Sequence, residues 1–294
     1  MNRPLVSVIV NCFNGERYLK ECIQSIINQT YTNFEIIFWN NNSTDKSQKI
    51  VSEFSDKRIK VFKTNVKQSL GESRNKAIEK SSGELITFLD VDDWYLSEKL
   101  DLQVKIFEKN QDVGLVFTNY YNYYEHNKSK KISNCKIFNN NISQHLLDNY
   151  NVGILTVMVK RNLLLKNQFD LKFNFIEDFD LIFRLSFQTK FHFITIPTSY
   201  YRLHEKNLSK VKLEIFIEEF KKWINLNNNK FKNILSFKSL ETRVELMEIK
   251  NDILKGKKLK ALSKMINLNL YKNYSTRLKL FLTLFLPTFL LKKY

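Results

Sequence analysis

Glycine and proline are scarce in this sequence, 6 and 3 among 294 residues, which excludes a collagen-like or low-complexity chain. Cysteine is scarcer still. Cys12, Cys22 and Cys135 are too few, too scattered and odd in number for a disulfide framework or a zinc cluster, so they read as small buried hydrophobes of a reducing compartment. No stretch reaches the roughly 20 apolar residues of a membrane-spanning helix. The nearest approach, Leu278 to Leu291, is interrupted by Lys279, Thr283, Pro287 and Thr288. Met1-Asn2-Arg3-Pro4-Leu5 runs into a strand-like segment without signal-peptide architecture, so a cytoplasmic place is expected, and Asn-x-Ser/Thr triplets such as Asn28-Gln29-Thr30 read as chance.

Acid is the remaining shortage. The 47 Lys+Arg outnumber the 30 Asp+Glu for a net charge of +17, and the excess is uneven: residues 1–205 carry +4 and residues 206–294 carry +13. Beyond Asp252 ten basic residues follow and no acid. Such asymmetry calls for an anionic partner surface. The apolar run near the C-terminus is something nucleic acid does not require, so a basic segment with an apolar tip points to the cytoplasmic face of a membrane. A helix packed on the body is the alternative.

What is present is an alternating pattern. Val6–Val10, Phe34–Trp39, Ile59–Phe62 and Leu85–Leu89 are buried-strand runs. Between and after them lie helical patterns over Arg17–Gln29, around Ile50, Val51 and Phe54, over Glu72–Lys80, and around Leu100, Val104 and Phe107, the last capped by Ser97. This order predicts an α/β fold with a mostly parallel sheet covered on both faces. Ligands of such sheets bind beyond the carboxyl ends of the strands. Those places hold Asn11-Cys-Phe-Asn-Gly15, Asn40-Asn-Asn-Ser-Thr-Asp45 and Asp90-Val-Asp-Asp93. Neither a Gly-x-Gly-x-x-Gly fingerprint nor a P-loop is there. The carboxylates suit Mg²⁺ or Mn²⁺ bridging to a diphosphate, although Asp92 or Asp93 could simply precede and cap a helix.

These segments closely resemble the family 2 nucleotide-sugar glycosyltransferases, inverting enzymes of GT-A fold. Val6 to Gly15 with Cys22-Ile-Gln-Ser-Ile-Ile-Asn-Gln-Thr30, Ser73-Arg-Asn-Lys-Ala77, Gly83 to Trp94 with its Asp-x-Asp, Phe175-Ile-Glu-Asp-Phe-Asp-Leu-Ile-Phe-Arg184 and Tyr201-Arg-Leu-His-Glu-Lys-Asn-Leu-Ser209 match the family in order over about residues 5–210. The resemblance implies a nucleotide-binding half over 1–115, an acceptor-binding half over 116–210 and, outside it, a helical basic region over 211–294. It implies a nucleoside-diphosphate sugar as donor, a UDP-sugar favoured, and a saccharide or lipid-linked glycan as acceptor. Asn11 begins the loop lining the base, with Asn14 in that loop, and Asn41 stands where relatives often carry an aspartate against uracil. Asp90 and Asp92 meet ribose and metal, and Asp93 the metal or diphosphate. Arg74 lies near the nucleotide or makes a helix-surface ion pair. Arg202 and His204 meet the diphosphate, His204 as a metal ligand or a structural residue. Asp178 is the catalytic base, with Glu177 orienting it or binding acceptor. His126, His145 and His192 receive no role.

The chemistry suits these residue types. A carboxylate takes the proton of the attacking hydroxyl, and a divalent ion stabilises charge growing on the leaving diphosphate. Asn40-Asn41-Asn42 departs from the family, because an amide donates as well as accepts. A non-catalytic GT-A-like nucleotide- or glycan-binding module, a nucleotidyltransferase and nucleic-acid binding by the tail are the competing readings. The absence of a Gly-rich basic loop after the first strand opposes the second of these.

Overall fold

The computed structural model describes residues 3–133, 141–205, 207 and 212–267. It divides into two compact units, Met1–Leu146 with Tyr150–His204, and Leu147–Asn149 with Glu205–Tyr294.

The first unit opens with β1 (Val6–Cys12), α1 (Leu19–Ile27), β2 (Phe34–Asn40), α2 (Ser47–Ser52), β3 (Ile59–Lys63), α3 (Leu70–Lys80) and β4 (Leu85–Phe88). Every residue of β1, β2 and β4 is buried, as continuous apolar runs require when both faces of a sheet are covered. Helix α1 buries Leu19, Cys22, Ile23 and Ile26, the 3–4 spacing of a single stripe. Together with Val8, Val10, Phe38, Leu100 and Val104 this stripe enters one large core. Then come β5 (Trp94–Tyr95), α4 (Lys99–Lys109), β6 (Val113–Tyr124), β7 (Ser129–Ile132), α5 (Ile142–Asp148), β8 (Met158–Lys160), α6 (Arg161–Lys166), α7 (Glu177–Leu185) and β9 (Lys190–Leu203).

The strands form one sheet in the order β3-β2-β1-β4-β8-β6-β9-β5, with β7 on β6. The α/β class holds. β1 runs parallel to β2 and β4, and β2 parallel to β3. Beyond β4 the sheet is mixed: β8 is antiparallel to β4 and β6, β6 parallel to β9, and β5 antiparallel to β9. The parallel rule lapses where strict strand–helix alternation ends, after β4. Residue 115, the expected border between donor and acceptor halves, falls inside β6.

One capping expectation is corrected. Ser97 does not cap α4, whose N-cap position is Glu98 with no side-chain bond. Gln29 does the work from α1's exit, its Oε1 accepting the Leu100 N–H at 3.0 Å while its Nε2 donates to Leu96 O at 2.7 Å.

The second unit holds α8 (Leu213–Phe231), α9 (Lys238–Leu254) and α10 (Lys258–Asn267). Ile249 and Ile253 of α9 pack with Ala261 and Met265 of α10 in a small core of their own. Among the described residues no helix is long and apolar enough to cross a membrane. The apolar tip at 278–291, Cys135 and residues 206, 208 and 209 of the closing segment lie outside the described residues. Cys12 and Cys22 are buried.

Candidate active site

The loops after β1 and β2 clasp each other. Asn14, in the left-handed conformation at φ 53°, donates its N–H to Ser43 Oγ at 3.0 Å and accepts the Thr44 N–H on Oδ1 at 2.8 Å. Glu16 N–H donates to Asp45 Oδ2, and Lys46 N–H to Glu16 Oε2, both at 2.9 Å. Gly15 is required by contact: a Cβ there would stand 2.9 Å from Val91 Cγ2. A bare backbone at position 15 therefore lets the first loop lie against the Asp90-Val-Asp-Asp93 segment. Asn41 is buried with both amide ends committed, Nδ2 to Gln68 O at 2.9 Å and Oδ1 to Gln68 N–H at 2.8 Å. Of the three asparagines expected to line the base, Asn11 differs: its Oδ1 is buried without a partner.

The three aspartates after β4 part company. Asp90 receives Arg74 Nη2 at 3.0 Å and stays one-third exposed. Asp92 Oδ2 meets His204 Nε2 at 3.0 Å. Asp93 turns inward and accepts the Arg202 N–H at 2.8 Å, and burial pushes its carboxyl well above the usual range. Arg202 is itself enclosed: Nε donates to Asp92 O at 2.8 Å, Nη2 to Glu21 Oε2 at 2.5 Å, and the guanidinium lies 4.6 Å from the Tyr18 ring centre and 4.5 Å from that of Trp94. Tyr18 stacks on His204 at 5.5 Å and donates to Glu125 Oε1 at 2.9 Å. Burial, helped by Glu125, pushes its hydroxyl up to about 12. Tyr18 and Glu125 carry no motif in the sequence, and only the pairing of distant segments brings them here.

Arg74 is fully enclosed and joins the two ends of the site. Besides Asp90 it reaches Glu177 Oε1 through Nη1 at 2.9 Å. It is thus a buried bridge from α3 to the loop after β4 and to the first turn of α7, not a helix-surface pair. Its neighbour Asn75 holds Phe169 by both backbone groups, at 3.0 and 2.8 Å. Glu177 and Asp178 are adjacent carboxyls. Burial pushes Glu177 up to about 8 against the pull of Arg74 and with the push of Asp178, and burial likewise raises Asp178. Asp180, by contrast, serves α7 itself by pairing with Arg184 at 2.8 Å. Tyr150, unmarked by any sequence signal, donates its hydroxyl to Asp178 Oδ2 at 3.2 Å.

Buried polar atoms without partners gather at this edge: Asn11 Oδ1, Trp39 Nε1, Gln68 Oε1, Ser73 Oγ and Glu177 Oε2. Asn11 and Trp39 stand opposite each other in the β1–β2 register. Buried orphans are uncommon in native proteins and ask for a ligand or water. Among the described residues no three His, Cys, Asp or Glu side chains are grouped to hold a metal by themselves. Asp92 and His204 nonetheless fit a metal shared with substrate. Mg²⁺ and Mn²⁺ take few protein donors and complete their shell with water and phosphate. In this structure the two atoms are hydrogen-bonded to each other at 3.0 Å, so an ion held by them would replace that bond.

Residues 7–169 match the model of glycosyl transferase family 2. The chain belongs to this family. It is 32% identical over 218 residues, 73% of this chain and 83% of the relative, to the Escherichia coli UDP-Glc:alpha-D-GlcNAc-diphosphoundecaprenol beta-1,3-glucosyltransferase WfgD. It is 42% identical over 112 residues to an uncharacterized glycosyltransferase of Haemophilus influenzae, spanning 45% of that protein's length. In fold it is similar to the mannosyltransferase PcManGT of Pyrobaculum calidifontis, solved with GDP-Man and Mn²⁺, at TM-score 0.65 and 16% identity over 100% of this chain and 84% of that one. S. aureus TarS 1–349 with UDP-GlcNAc is similar at TM-score 0.59 and 16% identity, over 92% of this chain and 75% of TarS. As a family 2 member the chain is a glycosyltransferase of GT-A-type fold.

Proposed function

We propose that this glycosyltransferase inverts configuration, moving one sugar from a nucleoside-diphosphate sugar to a hydroxyl of a saccharide or lipid-linked glycan in the synthesis of a surface polysaccharide or lipopolysaccharide. The observation that carries the reading is the Arg74 bridge. One buried guanidinium bonds both Asp90, at the donor end, and Glu177, next to Asp178. The donor carboxylates and the base are thereby held in one charge cluster. Asp178 is assigned the proton of the attacking hydroxyl, and Glu177, enclosed and paired with Arg74, orients the start of α7. Asn11 Oδ1 is the acceptor left for an N–H of the base, while Asn14 and Asn41 shape its loop. Asp92 and His204 would hold a divalent ion, Mg²⁺ or Mn²⁺, which when bound offsets charge on the leaving diphosphate. Asp93 and Arg202 hold the Asp92 loop against the end of β9. A UDP-sugar is the favoured donor, supported by the name of the E. coli relative. The basic C-terminal region is assigned to an anionic membrane surface on the cytoplasmic side, where a lipid-linked acceptor would be met; nucleic acid is not a partner in this reading.

Asp178→Asn tests the assignment. The full-length variant should keep the stabilisation that UDP or GDP with Mn²⁺ gives the parent in thermal unfolding. Its turnover of UDP-glucose, UDP-N-acetylglucosamine or GDP-mannose should fall by about 10²–10⁴-fold, the usual contribution of a general base. Unchanged turnover would place the base elsewhere. Parent protein that no nucleotide stabilises would move the chain to a non-catalytic role.

A further inference from the structure

Asp178 does not stand alone at the start of α7. Its Oδ1 accepts the N–H of Phe179 at 2.7 Å, and its Oδ2 accepts the hydroxyl of Tyr150 at 3.2 Å. Tyr150 comes from the segment between α5 and the short 3₁₀ turn Ile154–Thr156, 28 residues before its partner. The ring is fixed by an edge-on contact with Phe179, centroids 5.0 Å apart. An ionised carboxylate offers about four lone-pair positions. Two hydrogen bonds therefore fix its plane and leave room for the acceptor's hydroxyl.

We propose that Tyr150 is a positioning residue of the transfer reaction: its hydroxyl fixes the Asp178 carboxylate and keeps it ionised for taking the acceptor's proton. This rests on the assignment of Asp178 as the base. The groups facing Asp178 are Arg74 from α3, Asp90 from the loop after β4, its neighbour Glu177 and Tyr150. Burial opposes the charged form most, with Asp90 adding to it, while Arg74, the Phe179 N–H and Tyr150 favour it. Tyr150 is suited to donate, because burial and then Asp178 push its own hydroxyl well above the ordinary tyrosine value, with Glu177 and Tyr120 of β6 adding to the push. It stays protonated at neutral pH. Glu177 and Asp178 titrate as a pair, so the acid limb of the rate profile belongs to both.

The test is Tyr150→Phe, which keeps the ring and removes the donor. The loss of a hydrogen bond to a charged group should move the acid limb of the turnover profile upward by about one pH unit. Below the limb, turnover of UDP-glucose, UDP-N-acetylglucosamine or GDP-mannose falls about tenfold against the parent. Above it, turnover returns to within about threefold. A uniform loss at every pH, or an unmoved limb, overturns the proposal. Asp178→Asn, measured alongside, separates the two assignments: its full activity would remove the base itself, whereas an inactive Asp178→Asn with an unmoved Tyr150→Phe profile would remove only Tyr150. Spectrophotometric titration of tyrosinate gives a reading independent of turnover and of whether Tyr150→Phe folds. Without the Asp178 charge, one tyrosine of Asp178→Asn should ionise at lower pH than in the parent. Identical tyrosinate curves would overturn the contact.

Discussion

Asn41 gives both ends of its amide to the backbone of Gln68, and Asn75 gives both ends of its own to the backbone of Phe169. Each acts as a strut between a segment it neighbours in space and one distant in sequence. This is a role for the amide that a carboxylate would not fill. A carboxylate has no donor for Gln68 O and would set charge against that carbonyl in a buried place. Asn41→Asp should therefore lower stability by about 1–3 kcal/mol and weaken nucleotide-dependent stabilisation, read by denaturant unfolding with and without UDP. A variant as stable as the parent that binds UDP more tightly would show that position 41 reads the base after all. Asn11, Asn14, Asn41, Arg74 and Arg202 were all legible as belonging to this edge of the sheet. Which of them act as struts was not, because that depends on which backbone atoms the fold brings within reach.

The elements show the same division. Strands β1, β2 and β4 were legible because full burial on both faces demands unbroken apolar runs, and α1 because its buried residues repeat at helical spacing. Helix α4 was legible as a helix but not in how it begins. Ser97 has the chemistry of a cap, yet Gln29 from the exit of α1 occupies the Leu100 N–H. Gln29 Nε2 meanwhile holds Leu96 O and Ser25 O. One side chain thus ties α1 to the start of α4 below the Asp90–Asp93 loop. Gln29→Ala should cost about 1–2 kcal/mol, whereas Ser97→Ala should cost little by the same measure of thermal or denaturant unfolding. The reverse order would restore Ser97 as the cap.

At the scale of the whole molecule, charge and fold are distributed differently. The first unit carries the family match and the site. The last 89 residues carry +13 of the +17 net charge. In the proposed function this excess acts at an anionic membrane surface, each basic group near it contributing about 1 kcal/mol. Ending the chain after residue 277 should lower co-sedimentation with vesicles containing anionic lipid, while the nucleotide-dependent thermal shift stays as in the full chain. Unchanged sedimentation would assign the tail to packing on the protein.

Apolar periodicity determined the α/β class and the parallel start of the sheet, since burial on one or two faces leaves a pattern that any reader of the chain can find. The polar clusters at strand ends determined where to look for a ligand, because the open edge of such a sheet lies at those ends. Tertiary structure alone decided that the sheet turns mixed beyond β4 and that Asp93 faces inward while Asp92 meets His204. It alone decided that Arg74 joins Asp90 to Glu177, and that Tyr150 stands on Asp178. These are contacts between residues 16 to 112 positions apart. Hydrogen bonds and ion pairs act over about 3 Å, and which distant side chains come that close is settled only when the chain has folded.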